Sequence, residues 1–481
     1  FVSMACSSSS FPLMVSISGV RGIACRSITP ELIVKYVAAF AYLQITRHQK
    51  DLPITEKPEI VLLRDSRVSG EWIERISAGV LQSMGANVLS CGIQPTPTAQ
   101  LLALQRSNAV GALVITSSHN PKEWNGLKFI DSDGLFLSPE SCDVLFQMVN
   151  NSAYQYPSFE QRGSFVDFAD AAQIHIDTCT SLSYIDLEAT KKRNFKVVLD
   201  SVNGAGGPIM KSLLETLGCK VIGLNLEPTG VFAHTPEPVP ENLGQLCSAV
   251  VEHSADFGIA VDPDVDRCVL IDETGKPLGE EYTLALAVKF YLSATEKRGP
   301  ICKNLSSSRV CDDIAKEYNC ISYNTPVGEI HVAKKMVELN AIIGGEGNGG
   351  VMLPDVHIGR DALVAATLIV QLLSGFEGTI SEYKKSLPQY QIVKLKAPIG
   401  NMVPELILAD MKKKWEGKEG VTLTEGDGLR IDTSDYWVHM RKSNTEPIIR
   451  VIGEHQSEEE ARKVCEQFMS EIQNWKAETS E

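Results

Sequence analysis

The stretch Phe257-Gly-Ile-Ala-Val-Asp-Pro-Asp-Val-Asp-Arg267 decides the fold. Five apolar residues rich in β-branching read as a buried strand, and the run stops abruptly in alternating aspartates. The same architecture recurs along the chain. Glu59-Ile-Val-Leu-Leu63 leads into Arg64-Asp-Ser-Arg67, and Gly111-Ala-Leu-Val-Ile115 leads into Thr116-Ser-Ser-His-Asn-Pro121. Lys196-Val-Val-Leu199 leads into Asp200-Ser-Val-Asn-Gly204, and Ala341-Ile-Ile343 leads into Gly344-Gly-Glu-Gly-Asn-Gly-Gly350. Helix-period segments separate these runs, which is the βαβ signature of a mainly parallel sheet. Ligands gather outside the carboxyl ends of strands in open α/β sheets, so these loops are where chemistry is expected.

Outward from these runs, the pattern predicts three similar α/β units without a close internal repeat. The sequence breaks place them over residues 14–160, ended by Tyr156-Pro-Ser, 161–297, ended by Lys297-Arg-Gly-Pro300, and 298–388. Residues 389–481 differ: a strand, a helix over Pro404 to Trp415, strands around Gly428-Leu-Arg-Ile431 and Trp437-Val-His-Met440, and an amphipathic helix from about Glu458 to Trp475. That order is α+β, and small.

A chain of 481 residues has room for about three or four ordinary domains. Its 43% hydrophobic and 22% charged content is that of a globular protein. A net charge of −15 argues against nucleic acid or an anionic membrane as partner, since both need a broad positive field. Any anionic substrate must meet a local basic cluster. Twelve cysteines are scattered singly with no C-x-x-C pair, which fits buried free thiols in a cytoplasmic protein better than zinc ligands or disulfides. No apolar run approaches the roughly eighteen residues of a membrane helix. Residues 1 to about 13 are expected to be disordered or foreign to the native chain.

Three carboxylates at i, i+2 and i+4 in Asp262-Pro-Asp-Val-Asp266 repel one another unless a cation sits among them. Oxygen-only ligands select a hard ion such as Mg²⁺ or Ca²⁺. An EF-hand loop is the rival reading, because Glu273 falls at its last position. Arg267 stands where that loop needs glycine, however, and both flanks read as strands. Three aspartates and one Mg²⁺ leave a charge of −1, and a phosphate adds about −2 more. Nearby cations are then required, and Arg267, Arg21 and Lys128 are the candidates. One of the serines in Thr116-Ser-Ser-His-Asn-Pro121 could carry that phosphate, since Asn-Pro fixes a tight turn behind it. Arg441-Lys-Ser-Asn-Thr-Glu-Pro447, with Arg450, has the composition of an anion cradle. Gly345-Glu-Gly-Asn-Gly-Gly350 offers a carboxylate and a carboxamide suited to sugar hydroxyls, and its spacing is not a dinucleotide fingerprint.

Together these four loops resemble those of the α-D-phosphohexomutase family: Thr116–Pro121 its active-serine loop, Asp262–Arg267 its metal loop, Gly345–Gly349 its sugar loop and Arg441–Pro447 its phosphate loop. All four occur in the family's order, over residues from about 14 to 475. The resemblance implies three similar mixed-sheet α/β domains and a smaller C-terminal α+β domain around a central cleft. It implies interconversion of hexose 6- and 1-phosphates through a phosphoserine and a 1,6-bisphosphate, with one Mg²⁺ per chain and a sugar 1,6-bisphosphate as activator. Ser118 would be the phosphoserine and a metal ligand with Asp262, Asp264 and Asp266. Lys128 would be the general base, with Arg21, His119 and Arg267 beside it. Glu346 and Asn348 would meet the sugar, and Arg441, Ser443, Asn444, Thr445 and Arg450 the phosphate that is not reacting. Glu329 departs from the histidine or lysine common in some branches, and a carboxylate there could meet a sugar ammonium. With the Gly-Glu-Gly-Asn-Gly-Gly loop, that favours glucosamine phosphate over the mannose and glucose phosphates. The other readings are a catalytically silent sugar-phosphate binder or a Ca²⁺-binding relative. The expected partners are small sugar phosphates, and a homodimer is left open.

Overall fold

A computed structural model describes residues 11–48, 56–443 and 447–475. Its first sheet has seven strands, in the order Leu13–Ser16, Gly19–Ile23, Trp124–Asp131, Ala109–Ile115, Glu59–Arg64, Asn87–Ile93 and Phe165–Asp167. The last four run parallel, and the first three join antiparallel. Strict alternation gives each central strand two apolar faces. Ile60, Leu62, Val88, Leu113 and Ile115 enter one core, while Val61, Leu63, Leu89, Ala112 and Val114 enter the other. That is why these strands read as continuous apolar runs.

The second sheet orders Cys268–Ile271, Phe257–Val261, Lys196–Asp200 and Lys220–Leu224, and the third orders Ser322–Thr325, Ile301–Asn304, Ile343–Glu346 and Gly350–Met352. Each has three parallel strands and one antiparallel edge strand formed by a hairpin. One hydrophobic core runs through both units, and the helix Ala362–Ser374 is buried on every side within it. The fourth sheet is wholly antiparallel, Gln391–Pro398, Ile448–His455, Trp437–Lys442, Leu429–Asp432 and Thr422–Glu425, and the helix Glu458–Gln473 packs on it. The fold class is therefore α/β, three mixed-sheet units and a smaller α+β unit.

Packing crosses two of the expected boundaries. Phe165–Asp167 pairs with Asn87–Ile93 and extends the first sheet past residue 160. The helix Glu280–Ala294, which precedes residue 297, packs on strands of both the second and third sheets. Sequence breaks mark where the pattern changes, whereas sheet edges are completed by whichever strand reaches them. The eleven described cysteines are all free, nine of them buried, so no disulfide holds the described units together. No described helix is long and apolar enough to cross a membrane.

In each α/β unit a central parallel strand turns back as an antiparallel neighbour, and the hairpin between them is a candidate site loop. Residues 116–123 join Ala109–Ile115 to Trp124–Asp131, residues 262–267 join Phe257–Val261 to Cys268–Ile271, and residues 347–349 join Ile343–Glu346 to Gly350–Met352.

Candidate active site

Ser118 is buried and holds φ at +50°, in the left-handed region that non-glycine residues seldom adopt. Such a conformation persists only where the surroundings over-determine it. Here they do. Thr116 Oγ1 accepts the Ser118 N–H at 2.9 Å and donates to Asp65 Oδ2 at 2.6 Å. The fully buried Arg67 uses all five of its N–H groups. Its Nε donates to Asp65 Oδ2 (2.9 Å), and its two terminal nitrogens donate to the carbonyls of Pro121 (2.6 Å), Trp124 (2.9 Å), Asn120 (2.7 Å) and Ser118. One guanidinium thus grips the serine loop at four points.

The hydroxyl this loop presents lies 3.3 Å from Asp262 Oδ2 and 3.2 Å from His119 Nδ1. Asp262, Asp264 and Asp266 are wholly buried, with one ligand atom from each within 4.8 Å of the others. Asp262 Oδ1 accepts the N–H groups of Asp266 (3.1 Å) and Arg267 (3.2 Å), which curls the loop around it. Asp264 Oδ2 accepts from Thr96 Oγ1 (2.7 Å) and Lys128 Nζ (2.6 Å), and Asp266 Oδ2 meets the Arg360 guanidinium. The second oxygens of Asp264 and Asp266 are buried without a partner. Burial, then Asp266 and Asp264, push the Asp262 carboxyl well above the usual carboxylate range. Burial acts the same way on Asp264, but Lys128 overrides it and holds that carboxyl below its ordinary value. Three converging carboxylates with two orphaned oxygens fit a hard cation. The flanking elements are strands, so the loop is not an EF-hand.

Arg21, on Gly19–Ile23, is enclosed beside Asp264 and Asp266, and its Nε has no partner. Burial lowers its pKa against the pull of those two carboxylates. Lys128 Nζ lies 3.6 Å from Asp266 as well as against Asp264. Arg267 Nε is also orphaned, 3.8 Å from Asp266 Oδ1. Burial, then Arg267 and Arg21, hold the His119 imidazole well below its ordinary pKa, so it is neutral at physiological pH. Glu237, which sequence reasoning missed, reaches in from the second unit, 3.6 Å from Arg267 Nη1 and 3.9 Å from His119 Nε2. Its loop is tied down by His234, whose Nε2 lies 3.0 Å from Asp200.

The loop expected to meet the sugar lies at the end of the strand Ile343–Glu346, and the carboxylates of Glu346 and Glu329 are paired inside the protein. Glu346 is buried: Oε1 accepts from Asn304 Nδ2 (2.7 Å) and Gly328 N (2.9 Å), and Oε2 from Arg360 Nη1 (2.8 Å) and Asn348 Nδ2 (3.2 Å). Glu329, expected to meet a sugar ammonium, has an arginine of the protein as its cationic partner. It is buried, with Oε1 accepting from Gln100 Nε2 (3.0 Å) and Oε2 from Arg360 Nε (3.2 Å), so its charge is neutralised inside the protein. The residue that decides this lies thirty-one positions further on, beyond the reach of any local pattern.

In the phosphate unit, Arg441 and Arg450 stand directly opposite each other on antiparallel strands, and Lys396 stands opposite Arg450 on the next. Directly opposed residues project from one face, so three cations form a row. Arg441 Nε is buried without a hydrogen bond, 3.7 Å from Asp427 Oδ2. Ser443 follows Arg441 on the turn, while Asn444 and Thr445 lie outside the described residues. Asp427 also accepts the N–H of Val327 at 3.0 Å, and Gly328 N bonds Glu346, so the phosphate strands dock beside the sugar loop. Sequence reasoning missed Lys396, Thr96, Arg67 and Arg360. Only Arg67 carried a signal, its position at a strand end.

Family models match the chain four times in succession: phosphoglucomutase/phosphomannomutase alpha/beta/alpha domain I over residues 14–155, domain II over 173–275, domain III over 279–390 and the C-terminal domain over 400–471. A phosphoglucomutase/phosphomannomutase of Thermococcus kodakarensis is 38% identical over 450 residues, 93% of this chain and 96% of that protein. A phosphoglucosamine/phosphogalactosamine mutase of Sulfurisphaera tokodaii is 30% identical over 94% of this chain and 97% of its own length. Among solved structures, a phosphoglucomutase/phosphomannomutase family protein of Burkholderia thailandensis superposes with a TM-score of 0.81 at 22% identity, covering 95% of this chain and 98% of its own, which speaks for the fold. Four matched domains in order and a relative at 38% identity over nearly the whole length make this chain a member of the phosphoglucomutase/phosphomannomutase family, the α-D-phosphohexomutases.

Proposed function

We propose that this enzyme interconverts the 6- and 1-phosphates of a hexose, with Ser118 as phosphoryl carrier, and that glucosamine phosphate is its sugar. The observation that carries the reading is where charged side chains keep a buried atom without a hydrogen bond. Arg21, Asp264, Asp266, Arg267 and Arg441 each keep a buried polar atom without a partner, and all five belong to the loops and strands around Ser118 and the sugar loop. A buried group left unsatisfied costs about 1 to 3 kcal/mol, more when charged, unless a ligand completes it. Carboxylates await a cation and arginines await phosphate, which is the inventory a phosphosugar and a divalent ion together supply.

In the forward direction the Oγ–P bond of phosphorylated Ser118 breaks as a P–O bond forms to the free sugar hydroxyl. Lys128, in its neutral amine form, would take that hydroxyl's proton and pass it to Ser118 Oγ as the phosphoryl group leaves, and the product is the 1,6-bisphosphate. After reorientation the other phosphoryl group passes to Ser118 Oγ, and the proton that this hydroxyl gives up goes to the sugar oxygen the group leaves. His119, neutral and 3.2 Å from Ser118 Oγ, orients the hydroxyl without adding charge. Asp262, Asp264 and Asp266 would hold Mg²⁺, which supplies electrostatic stabilisation to phosphoryl oxygens. Arg441, Ser443, Arg450 and Lys396, with Asn444 and Thr445, would grip the phosphate at the far end of the sugar. Excess sugar 1,6-bisphosphate would prime the serine.

Relatives named as phosphoglucosamine mutases support the sugar, at 32% identity in Methanopyrus kandleri and 30% in Pyrococcus furiosus. A second reading, glucose or mannose phosphate, is favoured by one observation: Glu329 is buried and already ion-paired to Arg360. Phosphorus NMR with Mg²⁺, a trace of 1,6-bisphosphate and, in separate tubes, glucosamine 6-phosphate, glucose 1-phosphate and mannose 1-phosphate tests both. Interconversion strongest with glucosamine 6-phosphate, and absent in Ser118→Ala, is expected. Release of inorganic phosphate alone would mean a hydrolase, and no change in any tube a silent binder.

A further inference from the structure

The segment His357-Ile-Gly-Arg-Asp361 belongs to none of the four site loops, yet Arg360 pairs with three carboxylates in the cleft. Its side chain is 11% exposed. Three of its nitrogens meet three carboxylates from three segments: Nη2 meets Asp266 of the metal loop, Nη1 meets Glu346 of the sugar loop at 2.8 Å, and Nε meets Glu329 at 3.2 Å. These carboxylates raise the arginine's pKa against burial, so it is a fixed charge.

Two features show that the protein is built around this side chain. A Cβ on Gly350 would overlap Arg360 Cδ and lie 2.8 Å from its Cγ, so the arginine stem occupies the space a side chain on the sugar strand would take. The neighbouring Asp361 anchors the segment. It accepts from His175 Nε2 at 2.7 Å and His357 Nε2 at 3.0 Å and caps the helix Ala362–Ser374 through Leu363 N at 2.7 Å. His175 in turn bonds Thr98 of the first unit at 2.9 Å. Arg360 therefore enters the cleft from a backbone fastened to all three α/β units.

We propose that Arg360 is a positioning residue that couples the metal loop to the sugar loop, a role that rests on the mutase reading. A planar fork holds Asp266 and Glu346 at a set separation, and Glu329 offsets its charge so that Asp266 remains available to a cation. The coupling has a sign that a merely structural contact lacks. Arg360 repels a cation at Asp266 while it orients Glu346, so its loss strengthens metal binding and weakens sugar binding.

Calorimetry with Mn²⁺ as probe, without sugar phosphate, and then with glucosamine 6-phosphate or glucose 6-phosphate on the Mn²⁺-loaded protein, tests this. For Arg360→Met the Mn²⁺ dissociation constant should fall about tenfold and that of the sugar phosphate rise about tenfold. Arg360→Lys keeps the charge and loses the fork, so Mn²⁺ affinity should stay within about twofold of wild type while sugar phosphate affinity falls. Gly350→Ala, which displaces the stem, should behave as Arg360→Lys does and serves if Arg360→Met does not fold. Parallel loss of both affinities in Arg360→Met, or unchanged sugar phosphate affinity in all three variants, overturns the proposal. Failure of the wild type to interconvert the phosphates, with these shifts intact, would overturn the mutase reading and leave the coupling standing.

Discussion

At the scale of single residues, reactivity rests on a side chain that touches no substrate. Arg67 closes four carbonyls of the serine loop and neutralises Asp65, all of it buried. Removing one partner of a buried ion pair costs about 3 to 5 kcal/mol, because the other is left uncompensated. Arg67→Ala should therefore lose stability of that order in urea unfolding, and Arg67→Lys should recover little, since an ammonium cannot serve five divergent acceptors. Ser118→Ala should unfold at a urea midpoint close to wild type, because Ser118 Oγ bonds only His119 and Asp262. The two variants separate the scaffold from the chemistry. The three aspartates stand out in sequence because carboxylates at that spacing repel one another without a cation, whereas Ser118 is singled out from Ser117 only by the family resemblance. Glu329 was misread because its partner is remote.

At the scale of elements, the hairpin is the repeated device. A strand delivers one residue set to the cleft and its antiparallel neighbour returns with another, as Trp124–Asp131 does with Lys128. The fourth unit docks through a similar strand. His439, on Trp437–Lys442, lies 2.9 Å from Ser306 Oγ of the third unit and 2.6 Å from the Asp427 carbonyl. Burial drives its pKa down to about 4, with Asp427 pulling upward and Arg430 and Arg441 pushing further down. The folded state refuses a proton that the unfolded chain accepts at about 6.5. Stability from the neutral imidazole is thus complete above about pH 6.5 and is lost as pH falls toward about 4, by up to about 3 kcal/mol. Thermal unfolding between pH 7 and 4.5 should show this decline, and His439→Gln should flatten it. An unchanged slope in the variant would assign the decline to other groups.

At the scale of the whole molecule, the site exists only where units meet. Ser118 comes from the first, the aspartates from the second, Glu346 and Arg360 from the third and the basic row from the fourth. Metal binding should therefore stabilise the assembled fold. Mg²⁺ at a hundredfold excess over its dissociation constant should add about 2.7 kcal/mol, read as a rise in Tm that chelator reverses and Asp264→Asn diminishes. The sequence by itself determined the α/β class and put the Thr116 and Asp262 loops at strand ends, because strand periodicity and clustered carboxylates are local properties that survive without a partner. Tertiary structure alone decided which charges face one another. Arg360 neutralises Glu329, Arg67 locks Ser118, Thr96 and Lys128 share Asp264, and Phe165–Asp167 completes a sheet begun at Leu13. Each of these pairings joins residues far apart in the chain, and an electrostatic or packing interaction depends on distance in space, which no local pattern of residues records.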